Sequence, residues 1–169
     1  MKKGLLLLAA LVYLMASSQT ALAHKARYHS IFIYNFCKYI HWPEGDSSRF
    51  VIGVFGSSEV TACLEQMVVS NKGKGLSIEV RQIDAIASVK ECNVLYVATE
   101  ESGRMPEIIE ATTDMPILLI TDYPGLAYKG SVINFTVQEG GVRFELNKKN
   151  AADRGLKVAE CLQKLAIVV

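Results

Sequence analysis

From residue 26 to residue 40 the apolar positions recur at helical spacing. Ile33, Phe36, Cys37 and Ile40 fall at i, i+3, i+4 and i+7, and Ala26 and Ser30 extend the same face backwards. Ile31, Phe32, Tyr34 and Tyr39 lie elsewhere on the wheel, so the predicted helix is apolar on more than one side. Such a helix is either sandwiched or turned toward a second chain. Trp42-Pro43 ends it, because proline disfavours helix in the residue before it. It is too short, and at Asn35, Lys38 and His41 too polar, to span a bilayer.

Further along, the period alternates between strand and helix. "RFVIGVFGSS" is a run of strand formers closing in a turn and helix cap, and "EVTACLEQMVV" returns to helical spacing at Val60, Cys63, Leu64, Met67 and Val68. "LSIEVRQI" alternates like a strand exposed on one face. A short helix or turn follows over residues 84–89, then the strand "NVLYVA", the helix "GRMPEIIEAT" and the wholly apolar strand "MPILLITD". "SVINFTVQEGGVRFELN" reads as a β-hairpin turning at Glu139-Gly140-Gly141. "KKNAADRGLKVAECLQKLAIVV" reads as one long helix capped by Asn147, with a stripe at Ala152, Leu156, Ala159, Leu162 and Ala166. Strands alternating with helices imply an α/β fold: a mostly parallel central sheet, helices on both faces, and a C-terminal β-hairpin followed by a long helix.

The first residues change the setting. Lys2 and Lys3 precede a short apolar stretch from Gly4 to Ala16, and Ala21-Leu22-Ala23 is a small-x-small cleavage signature. Residues 1–23 therefore read as a cleaved signal peptide and His24 as the mature N-terminus, with export to the periplasm in a diderm host. The alternative is an uncleaved anchor. Removing 23 of 169 residues leaves 146, one domain of ordinary size over 24–169. The 18 basic and 17 acidic residues become 16 and 17. A near-neutral chain without basic runs is a poor match to nucleic acid.

Four cysteines, Cys37, Cys63, Cys92 and Cys161, in an oxidising compartment point to disulfides, with three pairings open. In a doubly wound sheet the helix carrying Cys63 runs back toward the start of the strand that follows Cys92, which brings those two together. Cys37 and Cys161 would then join the first helix to the last, or stay as buried free thiols. No CxxC, zinc spacing, GxSxG, HExxH or Walker pattern occurs, so no metal, cofactor or catalytic residue is assigned. His24, His29 and His41 read as terminal or helix-surface residues. Asp122 and Tyr123 follow the apolar strand, where ligands of open α/β sheets bind, and the segment "TDYPGLAYKGSVINF" is either a binding loop or a Gly/Pro turn into the hairpin. Asn134-Phe135-Thr136 matches a glycosylation sequon by chance within a strand.

Together, "FIYNFCKYIHWP" with "RFVIGVFG", then "ECNVLYVA", "LLITDYPGLAYKGSVINF" and "VRFELNKKNAADRGLKVAECLQKLA" resemble the YfiR family of periplasmic regulators over nearly all of the mature chain. The resemblance implies a non-enzymatic repressor that holds an inner-membrane diguanylate cyclase inactive through its periplasmic domain, and so lowers cyclic di-GMP and biofilm formation. It implies release by a peptidoglycan-associated outer-membrane lipoprotein, a homodimer, and no cofactor. Cys63 and Cys92 match the family's helix-to-strand cysteine pair. The family's second pair, near the hairpin and last helix, is represented here only by Cys161. One face of the first helix is expected on the sheet, and the other, with Phe32, Tyr39 and Trp42, against a second subunit or partner; the alternative is burial within one monomer. The competing function is a small-ligand-binding module, built around Asp122, that feeds a membrane receptor.

Overall fold

A computed structural model describes residues 23–43, 49–56, 59–71, 77–138 and 140–169. Its centre follows from the most apolar segments. Phe50–Phe55 (β2), Val94–Val97 (β4) and Leu118–Thr121 (β5) are buried at every position, the pattern of parallel strands covered on both faces. Ile78–Ile83 (β3), half-exposed along most of its length, lies outside β2 at one edge. Ile133–Gln138 (β6) and Gly141–Leu146 (β7) form the expected hairpin, pairing Gln138 with Gly141. With Ile167–Val168 (β9) at the far edge, the seven strands run β3-β2-β4-β5-β6-β7-β9. They are parallel as far as β6, β7 is antiparallel to it, and β9 adds a parallel edge beyond the hairpin.

Right-handed crossovers decide which face each helix covers. The chain goes outward from β2 to β3, then returns past β2 to β4, so the crossovers on either side of that reversal lie on opposite faces. On one face a helix over residues 23–39 (α1) and Glu59–Ser70 (α2) bury Ile33, Phe36, Val60 and Leu64 against Ile52, Tyr96, Ile120 and Phe135. On the other, a 3-10 turn at Ile86–Glu91 and the helix Met105–Ala111 (α3) bury Val89, Met105 and Ile108 against Val51, Leu95 and Leu119. The mixed α/β class with a mostly parallel sheet is as the sequence indicates.

The long last helix is not. It is two short helices, Lys148–Asp153 (α4) and Glu160–Leu165 (α5), separated by a strand, Lys157–Val158 (β8). Asn147 caps α4 as expected, its side chain accepting from Asn150 N at 2.9 Å. The stop is Gly155, left-handed at φ 70°. Leu156 N donates to Ala151 O and Gly155 N to Ala152 O, both at 2.9 Å, the paired bonds of a Schellman C-cap. β8 then pairs antiparallel with Ile40–His41 (β1), the extension that ends α1 before Trp42-Pro43. Gly155 was the legible signal, outweighed in the sequence by the long apolar stripe on both sides of it.

The signal peptide expected over residues 1–23 lies outside the described residues but for Ala23. Among the described residues no helix is long and apolar enough to cross a membrane.

Candidate functional site

The order in which the chain adds strands reverses between the parallel neighbours β2 and β4, and the carboxyl ends of the strands beside that point open into a cleft of about 610 Å³. Lys25, Ala26 and His29 of α1, Val60 at the start of α2, Tyr96 and Thr99 around the end of β4, and Asp122 just after β5 all line it. Open α/β sheets bind ligands at this position because crossovers on either side diverge there.

Asp122 is the hub. Its side chain is only 4% exposed and both carboxylate oxygens are occupied. Tyr96 Oη donates to Oδ2 at 2.9 Å and Lys25 Nζ meets the same oxygen at 2.8 Å, while Thr99 Oγ1 donates to Oδ1 at 2.6 Å. Burial pushes this carboxyl up, but the bonds from Lys25, Thr99 and Tyr96 outweigh it and hold the group below the usual carboxylate range. The same carboxylate, after burial itself, holds the Tyr96 phenol well above its ordinary value.

His29 completes the cluster. It is 2% exposed and stacks on Phe135 with ring centroids 4.0 Å apart. Its Nδ1 lies 3.3 Å from Tyr96 Oη and 3.9 Å from Asp122 Oδ2. Because Tyr96 gives its proton to Asp122, the contact with His29 calls for the Nδ1–H tautomer of a neutral ring. Burial depresses its pKa to about 4, against the opposing pull of Asp122. His29 is thus a core residue, not a helix-surface one. The sequence held the sign of this, since His29 follows Ala26 by three and precedes Ile33 by four on the buried face. Lys25, Tyr96 and Thr99 carried no sequence signal, because they reach Asp122 only through the fold.

Chemically the arrangement is a saturated ion-pair and hydrogen-bond hub. An aspartate with three direct partners, Lys25, Tyr96 and Thr99, is a structural anchor, or a socket for an ammonium group wherever Lys25 withdraws. Tyr123 beside it is exposed and outside the cluster. Among the described residues no group of three His, Cys, Asp or Glu side chains is placed to hold a metal ion.

The cysteines differ from expectation. All four are free thiols. Cys63 packs with α1 on one face of the sheet and Cys92 sits in the core of the other, so the sheet itself separates the expected pair. Its helix does run back along the sheet, but on the side opposite Cys92. Cys37 bonds within α1, to Ile33 O, and Cys161 is exposed on α5, so these two are not joined either. Burial raises the Cys37 and Cys92 thiols to about 12. Of the three residues expected on a partner surface, Phe32 packs among Phe36, Phe135 and Phe144, and Trp42 packs edge-on against Phe50 and donates to Asn93 O. Tyr39 alone is exposed. Asn134 is buried and tied to Thr121 and Glu145, which excludes a glycan there.

A family model described as YfiR/HmsC-like matches residues 26–167. The chain belongs to that family. YfiR-like proteins are periplasmic regulators rather than enzymes, and a membrane-associated partner goes with that role. Two solved structures share the fold. One is titled an ABC domain in complex with L-Trp from Streptococcus pneumonia, with a TM-score of 0.54 at 14% identity over 71% of this chain and 55% of that one. The other is a conserved domain protein from Vibrio cholerae, with a TM-score of 0.55 at 12% identity over 85% and 59%. The YfiR/HmsC-like chain spans a little over half the length of each.

Proposed function

We propose that this chain is the periplasmic repressor of an inner-membrane diguanylate cyclase, binding the cyclase's periplasmic domain and lowering cyclic di-GMP and biofilm formation. The observation that carries this reading is the family match over residues 26–167. A repressor needs no chemistry of its own. It needs to bind the inactive state of its target better than the active one. A differential affinity of about 100-fold shifts a balanced equilibrium largely to one side. The apolar residues left exposed near the C-terminal end of α1 and on the last elements, Tyr39, Leu165 and Val168, supply the contact surface for the cyclase or for a second copy of the chain. A peptidoglycan-associated outer-membrane lipoprotein is the releasing partner in this scheme, and cleavage after Ala23 delivers the mature chain.

Deleting the gene raises cyclic di-GMP, and the rise disappears when the cyclase gene is also deleted. An unchanged level under conditions of expression sinks the reading. N-terminal sequencing of exported protein begins at His24 on the same scheme.

The cleft at Asp122 favours a second reading, a small-ligand module. It sits at the ligand position of open α/β sheets, and a protein of similar fold is titled as a complex with L-Trp. A thermal-shift screen with amino acids, nucleotides and peptidoglycan fragments tests it. A ligand whose shift disappears in Asp122→Asn supports the cleft, and no shift with any of them counts against it.

A further inference from the structure

The outward side of α1 is unlike an ordinary solvated helix face. Between His24 and Pro43 there is no aspartate or glutamate, while Lys25, Arg27 and Lys38 are basic. At the helical repeat, Arg27, Tyr28, Ile31, Lys38 and Tyr39 fall within about 120° of arc, opposite the buried Ile33 and Phe36. All five are exposed, Tyr28 at 52%, Ile31 at 37% and Tyr39 at 44%. Lys25 is spent on Asp122, and Lys38 rests its ammonium over the Tyr34 ring 4.5 Å away without a carboxylate partner among the described residues. His24, exposed near the start of the helix, and Asn35, whose side chain turns back to Ile31 O, fall in the same arc.

We propose that this ridge lies on an anionic phospholipid surface, Arg27 and Lys38 meeting head-group phosphates while Tyr28 and Ile31 enter the interface. Three features point to lipid rather than to a protein. The charge of α1 itself is basic with no acidic residue, complementary to anionic head groups, each basic residue near such a surface favouring binding about five-fold. Tyrosines beside cations on one helical face are the composition of an interfacial helix, where amphipathic rings sit at head-group level. The ridge is also small. Residues 23–39 span about 25 Å, and one helix width makes an area of roughly 250 Å², well below the roughly 800 Å² that each partner contributes to a stable protein interface. A lipid surface demands neither a pocket nor that area. Tyr39 closes the ridge on the side assigned above to a protein contact. The inference does not rest on the cyclase reading, since the surface acts whatever the partner in the membrane.

The test is co-sedimentation of the mature chain with vesicles of phosphatidylcholine alone and of phosphatidylcholine with added phosphatidylglycerol. Binding is expected only with phosphatidylglycerol, and is expected to fall when salt is raised to about 0.5 M, where screening cuts off within a few ångström. The double variant Arg27→Gln, Lys38→Gln removes two exposed charges and should weaken binding roughly 30-fold. Its melting temperature and the fluorescence of Trp42, the single tryptophan, should stay unchanged. Tyr28→Ser with Ile31→Ser weakens binding from the apolar side and leaves its salt dependence intact. Absence of sedimentation with phosphatidylglycerol at low salt overturns the proposal, as does binding that survives the double glutamine variant. Loss of repression in that variant without any vesicle binding assigns the ridge to a protein partner and overturns it too.

Discussion

His29 packs in the core in a form that admits no charge. Its pKa in the fold is about 4 against an ordinary 6.5, so between those values the unfolded chain holds a proton that the folded chain refuses. Folding stability therefore falls as pH drops below about 6.5 and levels off below about 4, a total of about 3 kcal/mol from this residue. Asp122, held below the carboxylate range, adds a loss of the same sign at still lower pH. Urea titrations at several pH values measure the slope, and His29→Phe, which keeps the stack on Phe135, should flatten it between pH 6.5 and 4. An unchanged slope in that variant means that the ring does not control the acid response. Asp122→Asn should cost about 1–3 kcal/mol, since it breaks a bond pattern built for two acceptor oxygens. Lys25→Met should cost about 1–3 kcal/mol, because it leaves the 4%-exposed Asp122 carboxylate without its counter-ion while water can reach only the lysine side.

At the scale of elements, β2 is fitted to its neighbours at one point. A Cβ at Gly53 would collide with Cys92 Sγ and crowd Ile83. Gly53→Ala should destabilise the fold by about 1–3 kcal/mol through overpacking, and Cys92→Ala in the same chain should recover part of the loss. A double-mutant cycle with no coupling would show that the strand accommodates the methyl elsewhere. The free thiols give a second readout of placement. Cys161 should react with an alkylating reagent in the native protein, while half-buried Cys37 and buried Cys92, both with pKa raised to about 12, should react only on unfolding. Peptide mapping by mass spectrometry separates these, and a Cys63–Cys92 linked peptide from exported protein would contradict the placement on opposite faces.

For the whole molecule, the division of α1 into a spent face and an outward face governs what a substitution does. Phe32→Asp puts a charge among Phe36, Phe135 and Phe144 and should reduce the amount of folded protein, by a cost of several kcal/mol. Tyr39→Asp should leave stability within about 1 kcal/mol and the amount of protein unchanged, while losing repression if that surface meets the target. Immunoblots of the exported protein beside cyclic di-GMP measurements distinguish the two. Equal loss of protein in both variants would place Tyr39 in the core after all.

The local pattern of the chain determined much of this. Continuous apolar runs rich in branched residues such as "ILLIT" read as strands buried on both sides, two-residue alternation marked β3 as half-exposed, and Asn147 announced the start of α4, because these signals act over a few residues. Gly155 ends α4 through the one conformation that other residues avoid, a signal that the apolar stripe on both sides of it outweighed in the sequence. What the chain's pattern could not decide was the face on which each crossover lands. That placement put Cys63 and Cys92 on opposite sides of the sheet and spent Phe32 and Trp42 inside the fold. It also gathered Lys25, Tyr96, Thr99 and Asp122 from far apart in sequence into one hub, for a hydrogen bond between distant residues leaves no periodicity behind; only the packing of α1 across the ends of β4 and β5 creates it.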